Sequence, residues 1–430
     1  MSVRAGIIVT GTEVLTARTV DRNGPWLSER LQELGIDVTQ LVVVGDRPEE
    51  VLSALRWLAA EGADLICTSG GLGPTEDDLT AQVVADFQER PMALDQALEE
   101  RIWRILEPLM ARWPHLEEDA IRQANRKQAL VPEGATVLEP VGTAPGLVVP
   151  PPASRPGGPT VVVLPGPPRE LQAMWRAATE TEAFAAAVTG AVRYRSSMLR
   201  MFGIPESEIA STLRGARDSG VAVDELEITT CMRRGEIEVV TRSEPGEDAV
   251  HDAWLGFVKD RHADTLFSDD FSLIDQIVTD MLDQRGWTIA TAESCTAGLL
   301  AARLTEHPGS STRVRGGVVV YDNAAKSALA SVDPALIAAH GAVSVEVAEA
   351  LADGARAALA ADVGVGITGI AGPGGGSAEK PVGTVCVTVS GPEGRLTRRV
   401  QLPGDRSEVR DRSTTLALHM VRRLLLGEHN

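Results

Sequence analysis

Short apolar runs alternate with amphipathic stretches over the first 90 residues. β-branched runs at 3–9, 41–44 and 65–68 are separated by two segments in which apolar residues recur every three or four positions. This alternation predicts a βαβαβ unit, in which helices cover both faces of a parallel sheet. Ligands bind such sheets at the carboxyl ends of the strands, so the turns after the first and third strands are expected to carry the chemistry.

The proline-rich segment 150–159 and the region 195–268 depart from this pattern. The proline-rich segment 150–159 is either a linker or a hairpin loop, and the β-type residues that flank it favour the hairpin. Residues 195–268 then show a strand, a helix, two strands, a helix and a short strand. This order resembles an RNA-binding KH-like module, but no GxxG loop follows the first helix and the segment is not notably basic. A structural connector is therefore favoured.

A second α/β pattern begins near residue 272. It includes a predicted strand at 287–291 that runs directly into a predicted helix at 294–304. The predicted fold class is α/β, with a parallel-sheet domain at 1–190, a small α+β connector at 191–268 and a second α/β domain at 269–430.

The amino-acid composition argues against several classes of protein function. The 60 acidic residues outnumber the 41 basic ones and give a net charge of −19, which argues against direct binding of nucleic acid or of an anionic membrane. The 4 cysteines lie far apart without CxxC spacing, so they support neither a disulfide framework nor a thiolate zinc site. With no apolar run of membrane-spanning length, this usage predicts a cytoplasmic protein.

Three features of the second α/β domain carry chemistry. Ser294 lies where the predicted strand meets the predicted helix, and free backbone N–H groups at such a junction suit a developing oxyanion. A serine there also serves as a plain helix cap. Tyr321 and Lys326 follow the next strand, and Lys326 is one of few lysines in a chain that otherwise uses arginine. Lysine can act as a base where arginine cannot.

The third feature is a glycine-rich loop at 368–376 that follows a predicted strand. Glycines let bare backbone approach a ligand closely, as phosphate cradles require, although glycine-rich turns are also common without a ligand. Lys380 adds a cation beside the loop, and Arg406 begins the last helix. Arg406 is either a ligand of a phosphate or carboxylate group or a solvated residue of the first helical turn.

These motifs together resemble the C-terminal domain of the CinA family, whose members include nicotinamide mononucleotide deamidases. The resemblance rests on TAESCTAG, PGSS, YDNAAK and TGIAGPGGG followed by KPVG, in this order. It implies hydrolysis of the carboxamide of nicotinamide mononucleotide to nicotinate mononucleotide and ammonia. Two positions depart from the family pattern, because Ala297 stands where a second glycine is usual and Asp322 where a serine is usual.

An amide carbonyl needs a nucleophile, a proton acceptor and donors for the tetrahedral oxyanion. We assign Ser294 as the nucleophile, Lys326 with Tyr321 as the base system, and the backbone N–H groups at the helix start as the oxyanion hole. No cofactor is expected in this domain. The predicted substrate-binding residues are Thr296, Thr368, Gly369, Gly372, Gly374, Gly375, Lys380 and Arg406.

A rival mechanism uses the neighbouring thiol. Cys295, with Glu293 and Lys326, supplies the cysteine, acid and lysine set of thiol amidases, and a thiolate is intrinsically the stronger nucleophile. Consecutive helical residues point about 100° apart, so Ser294 and Cys295 are not expected to face the same substrate. This geometry favours serine and predicts that Cys295 packs inward.

In the first domain, the turn at 69–78 reads SGGLGPTEDD. Its glycines allow close approach to phosphate, and Asp77 and Asp78 are able to hold a divalent cation of unknown identity, although aspartates here also serve as helix caps. The turn resembles the molybdopterin-binding-like domain of the same family, as do LPGPPRE and the residues around 11–13, 21–23, 125–128 and 142–146. The predicted substrate-binding residues are Glu13, Asn23, Gly70, Gly71, Gly73 and Thr75.

The resemblance implies metal-dependent ADP-ribose pyrophosphatase activity for this domain, because that is the activity associated with the version fused to a deamidase domain. The leading hypothesis is a bifunctional hydrolase of pyridine nucleotide turnover, acting on nicotinamide mononucleotide and ADP-ribose. One alternative is an interaction protein of competence or DNA damage with a recombinase partner, and another is a molybdopterin-binding protein. Relatives also imply a homodimer.

Overall fold

The computed structural model describes residues 2–110 and 118–428 and divides the chain into two compact units, Met1–Arg195 and Ser196–Asn430. In the first unit the strands are β1 Arg4–Thr10, β2 Asp37–Val44, β3 Leu65–Ser69, β4 Met92–Leu94, β5 Leu130–Pro132, β6 Thr136–Leu138, β7 Gly146–Val149 and β8 Thr160–Leu164. Its helices are α1 Thr12–Leu15, α2 Asn23–Glu33, α3 Pro48–Ala60, α4 Thr80–Phe87, α5 Gln96–Met110, α6 Glu118–Arg126, α7 Pro168–Thr179 and α8 Glu182–Ala187.

The first unit is built on a six-stranded sheet of order β2-β1-β3-β8-β7-β6. Strands β1, β2, β3 and β8 pair in parallel, whereas β7 and β6 are antiparallel. Successive residues of β1 are buried on opposite faces, with Ile7 in one apolar core and Ile8 in the other. Burial on both faces explains why the parallel strands read as continuous apolar runs.

The segment 150–159 joins β7 to β8, which pair antiparallel with Val149 opposite Val161. The hairpin interpretation is therefore confirmed. The sequence analysis did not predict the short strands and helices between 92 and 138, which include the separate two-stranded sheet of β4 and β5. These strands are only three residues long and carry too little periodicity to stand out.

The second unit begins with the connector, whose elements are β9 Arg195–Phe202, α9 Glu206–Asp218, β10 Glu227–Arg233, β11 Glu236–Ser243, α10 Asp248–Arg261 and β12 Leu266–Ser268. The predicted order of elements is confirmed. They form a four-stranded sheet of order β10-β11-β9-β12, with its own apolar core around the fully buried Trp254.

The rest of the second unit forms a five-stranded sheet of order β14-β13-β15-β16-β17, parallel at β14, β13 and β15 and antiparallel beyond. The strands are β13 Ile289–Glu293, β14 Val314–Val319, β15 Val363–Gly369, β16 Thr384–Gly391 and β17 Gly394–Gln401. The helices are α11 Ile274–Arg285, α12 Leu299–Thr305, α13 Asn323–Ala330, α14 Pro334–His340, α15 Val345–Leu359 and α16 Arg406–Leu425. The predicted α/β fold class is confirmed, and no helix in the described ranges is long and apolar enough to cross a membrane.

The alanine-rich helix α15 packs directly on β15 through glycine. A Cβ atom on Gly366 would lie 2.2 Å from the Ala348 carbonyl oxygen and 2.6 Å from the Ala352 nitrogen. Both are backbone atoms that cannot move independently of the helix. The helix can therefore approach the strand this closely only because position 366 has no side chain.

We expect Gly366→Ala to destabilise the protein by about 3 kcal/mol, because overpacking costs about 1–3 kcal/mol and the obstacle here is backbone. The measurement is the midpoint of urea unfolding. Gly256→Ala in α10 is the control, since a Cβ there meets nothing within 4 Å and alanine is the better helix former. An unchanged midpoint for Gly366→Ala would show that α15 shifts off the sheet without cost.

Candidate functional site

Ser294 directly follows the interior strand β13. Its backbone N–H donates to the Ile367 carbonyl at 2.9 Å, which extends the pairing of β13 with β15 and fixes the position of Ser294. The residue is 8% exposed, and its hydroxyl makes no hydrogen bond within the described ranges. A hydroxyl at the carboxyl end of an interior strand, with no hydrogen-bond partner among the described residues, is available to a ligand.

The helix that follows does not begin where the sequence predicted. Residues 295–298 form a turn and α12 starts at Leu299, so Ser294 is not at a helix N-terminus and the predicted start of this helix is wrong. The first N–H groups of α12 are also engaged. The buried Glu293 carboxylate accepts from Gly298 and Leu300 at 3.0 Å and from Ala301 at 2.8 Å. These amides therefore cannot form the predicted oxyanion hole, because a carboxylate already occupies them.

Lys326 is buried on α13, with 2% of its surface exposed. Its Nζ donates to the Val320 carbonyl at 3.0 Å and lies 3.4 Å from the carbonyl oxygens of Tyr321 and Asp322. Burial lowers the pKa of Lys326, while Asp322 and the thiol of Cys295 oppose this shift. Within the described residues, no hydrogen bond joins Lys326 to the Ser294 hydroxyl.

Asp322, one of the two departures from the family pattern, caps helix α13. Its Oδ1 accepts from the Ala325 N–H at 2.6 Å. Serine and aspartate serve equally well at this position, because either side chain presents an oxygen to the free amides of the first turn. The substitution therefore preserves the helix that carries Lys326.

Tyr321 and Arg406 meet at the rim of the site. Arg406, the first residue of α16, donates through Nη2 to the Tyr321 hydroxyl at 2.8 Å and through Nη1 to the Gly372 carbonyl at 2.8 Å. Tyr321 is 59% exposed and its hydroxyl points to Arg406 rather than to Lys326. The structure thus joins the tyrosine, the arginine and the glycine-rich loop. Lys326 contacts the backbone carbonyl of Tyr321, but no hydrogen bond joins its amine to the Tyr321 hydroxyl within the described residues, so the predicted base system of these two side chains has no support in this arrangement.

Two other predicted binding residues hold the protein's own backbone. The Thr368 hydroxyl donates to the Ala342 carbonyl at 2.7 Å. Lys380 Nζ donates to the His340 and Val343 carbonyls at 2.9 and 2.7 Å. Both side chains fasten the segment that joins α14 to α15. Their predicted role in contacting substrate has no support in this geometry.

The other predicted members of this site lie on the glycine-rich loop and on the turn after Ser294. Gly374 and Gly375 are exposed, and a Cβ on Gly374 would meet nothing within 4 Å. Gly369 instead packs inward, since a Cβ there would lie 3.1 Å from the Cys295 Sγ. Thr296 is buried, and its hydroxyl has no hydrogen-bond partner in the described part of the chain.

Cys295 points into the core, as predicted. It is 5% exposed, and burial raises the pKa of its thiol to about 12. Such a thiol contributes almost no thiolate near neutral pH, and the thiolate is the nucleophilic form. This environment argues against the rival cysteine mechanism.

Sequence reasoning missed Arg410, one helical turn after Arg406. Its Nε donates to the Cys295 carbonyl at 3.1 Å and its Nη2 to the Thr296 carbonyl at 3.0 Å. The i, i+4 spacing of two arginines at the start of α16 was the available signal, since such residues share one helix face. The start of α16 therefore contacts the Ser294 turn, Tyr321 and the glycine-rich loop.

In the first unit, the turn after β3 closes tightly on the end of β1. Gly70 has φ +106°, and a Cβ there would lie 2.5 Å from the Thr10 Oγ1, so only glycine fits. A cavity of about 370 Å³ lies at this carboxyl edge of the sheet. Its lining includes the predicted residues Glu13, Gly70, Gly71, Gly73, Asp77 and Asp78.

The two candidate metal ligands are turned toward Thr75. The Thr75 hydroxyl lies within hydrogen-bond distance of both Asp77 and Asp78, which share its single hydrogen as acceptors, and the Thr75 N–H donates to Asp78 at 3.0 Å. The hydrogen bond from Thr75 lowers the pKa of Asp77, so this carboxyl is ionised at neutral pH. Lys127 Nζ donates to the Thr75 and Glu76 carbonyls and steadies the turn. No group of three or more potential metal-ligating side chains occurs within the described ranges.

Asn23 lies in a neighbouring cavity of about 620 Å³, which Glu13 also lines. Its Nδ2 donates to the Ser69 hydroxyl at 2.8 Å and the Gly166 carbonyl at 2.6 Å. The side chain therefore ties the ends of β3 and β8 together. The sequence analysis also did not single out Glu170, which lines the 370 Å³ cavity and whose pKa is raised by burial.

Two family models match the chain. Residues 272–425 match the "CinA C-terminal domain" and residues 6–183 match the "Probable molybdopterin binding domain". A solved structure titled competence/damage inducible protein CihA, from Agrobacterium tumefaciens, is 40% identical over 36% of this chain and 99% of its own, with a TM-score of 0.34.

Curated relatives extend over the whole length. A CinA-like protein of Mycobacterium sp. (strain JLS) is 59% identical over 426 residues, which are 99% of each chain. A CinA-like protein of Mycobacterium tuberculosis is 54% identical over 431 residues, covering 99% of this chain and 98% of its own. On this identity and coverage, the chain belongs to the CinA family.

Proposed function

We propose that the C-terminal domain hydrolyses the carboxamide of nicotinamide mononucleotide to nicotinate mononucleotide and ammonia. The observation that carries this proposal is the burial of Lys326, which lowers its pKa, in a domain where the Ser294 hydroxyl makes no hydrogen bond within the described residues. A buried amine of lowered pKa is the form of lysine suited to act as a base near neutral pH. The family resemblance supplies the substrate.

In the proposed reaction, the Ser294 oxygen forms a bond to the carboxamide carbon and its proton passes to the lysine amine. The tetrahedral intermediate collapses by breaking the carbon–nitrogen bond, and the nitrogen leaves as ammonia after taking up a proton. Water then hydrolyses the acyl-serine ester and frees the carboxylate. The protein's own lysine is the proton carrier at both stages.

The substrate's phosphate is proposed to bind between Arg406 and the glycine-rich loop. Arg406 uses two of its N–H groups on Tyr321 and Gly372 and retains others that can face an anion. Exposed glycines at 374 and 375 leave the loop backbone open on the same side. The assay that tests the assignment is ammonia release from nicotinamide mononucleotide by the purified full chain.

For the first unit we propose metal-dependent hydrolysis of the pyrophosphate of ADP-ribose. Two carboxylates suffice for such a site, because Mg²⁺ is commonly held by one or two carboxylates together with substrate phosphates. Asp77 and Asp78 would hold the cation, which when bound neutralises pyrophosphate charge and activates water. The glycines of 70–73 line the same cavity and leave room for the phosphates.

Asp77→Asn and Asp78→Asn are each expected to lower ADP-ribose cleavage at least about 10²-fold, because each removes a charged ligand of the cation. The measurement is AMP release in the presence of Mg²⁺ or Mn²⁺, with Glu76→Gln as the control from the same turn. Wild-type protein that binds molybdopterin but leaves ADP-ribose intact would support the pterin-binding alternative instead.

We further propose a cytoplasmic homodimer. The net charge of −19 argues against direct nucleic-acid binding but not against a protein partner, such as the recombinase that the family resemblance suggests.

A further inference from the structure

Arg410 fixes the backbone of the turn that follows Ser294. Its half-buried guanidinium donates to two successive carbonyl groups, those of Cys295 and Thr296, at 3.1 and 3.0 Å. A guanidinium is planar and holds its N–H groups in a rigid fork, so two contacts define the orientation of two peptide groups. Lysine at this position has a single flexible ammonium group and lacks that rigidity.

The turn that Arg410 holds is strained. Ala297 has φ +51° and Gly298 has φ +91°, while the Ala297 N–H donates to the Ser294 carbonyl at 3.2 Å to close the turn. The left-handed conformation costs a residue with a Cβ about 1 kcal/mol, which glycine avoids. Ala297 is the second departure from the family pattern, so this chain carries strain there. A strained turn persists only when its surroundings hold it.

Arg410 also determines the orientation of the Thr296 amide. In a trans peptide the C=O and N–H point in opposite directions, and the Cys295 carbonyl shares its peptide group with the Thr296 N–H. With Arg410 on the oxygen, this N–H points away from the guanidinium, and it donates to no acceptor in the described residues. A charged donor on the carbonyl polarises the peptide and strengthens the N–H as a donor.

We propose that Arg410 is a positioning residue for amide hydrolysis, and that it holds the Thr296 N–H as a donor to the oxyanion formed when Ser294 attacks. The inference rests on the proposed amidase activity. When the Ser294 oxygen bonds to the carboxamide carbon, the π electron pair moves to the carbonyl oxygen, which becomes the acceptor. In this proposal the Thr296 N–H is the oxyanion donor, a role that the sequence analysis assigned to the first amides of the following helix. Those amides donate to the Glu293 carboxylate instead.

The test compares Arg410→Met and Arg410→Lys with wild type by kcat and KM for ammonia release from nicotinamide mononucleotide. A donor engaged only in the transition state affects kcat and kcat/KM together. We expect Arg410→Met to lower kcat about 10²-fold with KM within about twofold, since misplacing a donor costs on that scale. Arg410→Lys should regain part of the loss. The control is Arg412→Met. Arg412 is also on α16, but its guanidinium lies near Gly235, between β10 and β11.

Melting temperatures establish that each variant is folded at the assay temperature. If Arg410→Met is unfolded, Arg410→Lys decides the matter, and a kcat for it equal to wild type overturns the inference. A wild-type kcat in folded Arg410→Met, or a loss confined to KM, overturns it as well. Absence of ammonia release by the wild type is a different result, which rejects the proposed amidase itself.

Discussion

Replacing Ser294 with alanine is expected to abolish ammonia release from nicotinamide mononucleotide while leaving the protein folded. The substitution removes only an oxygen that makes no internal hydrogen bond in the described ranges, so stability should change little. Activity should fall by about 10⁴-fold or more, the scale on which nucleophile removal acts in serine hydrolases. The measurement is kcat/KM from an ammonia assay, with a melting curve for each protein.

Cys295→Ala is the matched control, because it removes the rival nucleophile at the adjacent position. Its thiol is buried with a pKa of about 12, so the variant should retain ammonia release and the wild type should resist iodoacetamide. Activity that survives in Ser294→Ala and disappears in Cys295→Ala would transfer the nucleophile to the thiol. Inactivity of both variants, with both folded, would show that the whole turn is needed and would leave the assignment to trapping of the acyl-enzyme.

The end of the strand before Ser294 was predictable, whereas the local backbone after Ser294 was not. An apolar run ending in polar residues marks the end of β13, so the sequence predicts correctly that Ser294 lies at a strand end. The false helix start at 294 has a physical cause. Glu293 is the last residue of the strand, yet its side chain reaches forward to the amides of Gly298, Leu300 and Ala301. The hydrophobic periodicity of the sequence does not predict that a strand residue caps the following helix in this way.

Because lysine is rare in this chain, each lysine was a candidate functional residue, but not every one has a catalytic role in the proposal. The ammonium groups of Lys127 and Lys380 each donate hydrogen bonds to two backbone carbonyls. Lys259 Nζ forms an ion pair with Asp269 Oδ2 at 2.6 Å. Lys326 also contacts carbonyls, but it alone among the four lysines is buried, and this burial lowers its pKa. Burial, which decides between these roles, depends on packing between elements distant in sequence.

Contacts between residues far apart in the sequence were the part of the site that sequence patterns predicted least. Arg410 binds carbonyls 115 and 114 positions away, and Arg406 binds Tyr321 85 positions away. The sequence shows that arginines begin α16 but not which turn they meet. Only the packing of α16 beside the sheet brings them to the Ser294 turn.

Removing the amine of Lys326 is expected to cost activity on nearly the same scale as removing Ser294. Lys326→Met keeps the length and volume of the buried side chain, so the fold should persist, and kcat should fall by about 10³-fold because general-base catalysis contributes about 10²–10⁴-fold. The control is Lys259→Met, which removes an exposed lysine of an ion pair and should leave ammonia release unchanged.

The pH profile identifies the group directly. An amine accepts a proton only when neutral, so wild-type kcat should rise with pH through the pKa of Lys326 and level off above it. Burial lowers that pKa from its ordinary value of 10.5, so the rise should occur at lower pH than an exposed lysine would give. In Lys326→Met the residual activity should lose this limb. A limb that persists unchanged in the variant belongs to another group, and Lys326 would then act by holding the carbonyls of 320–322 rather than by carrying the proton.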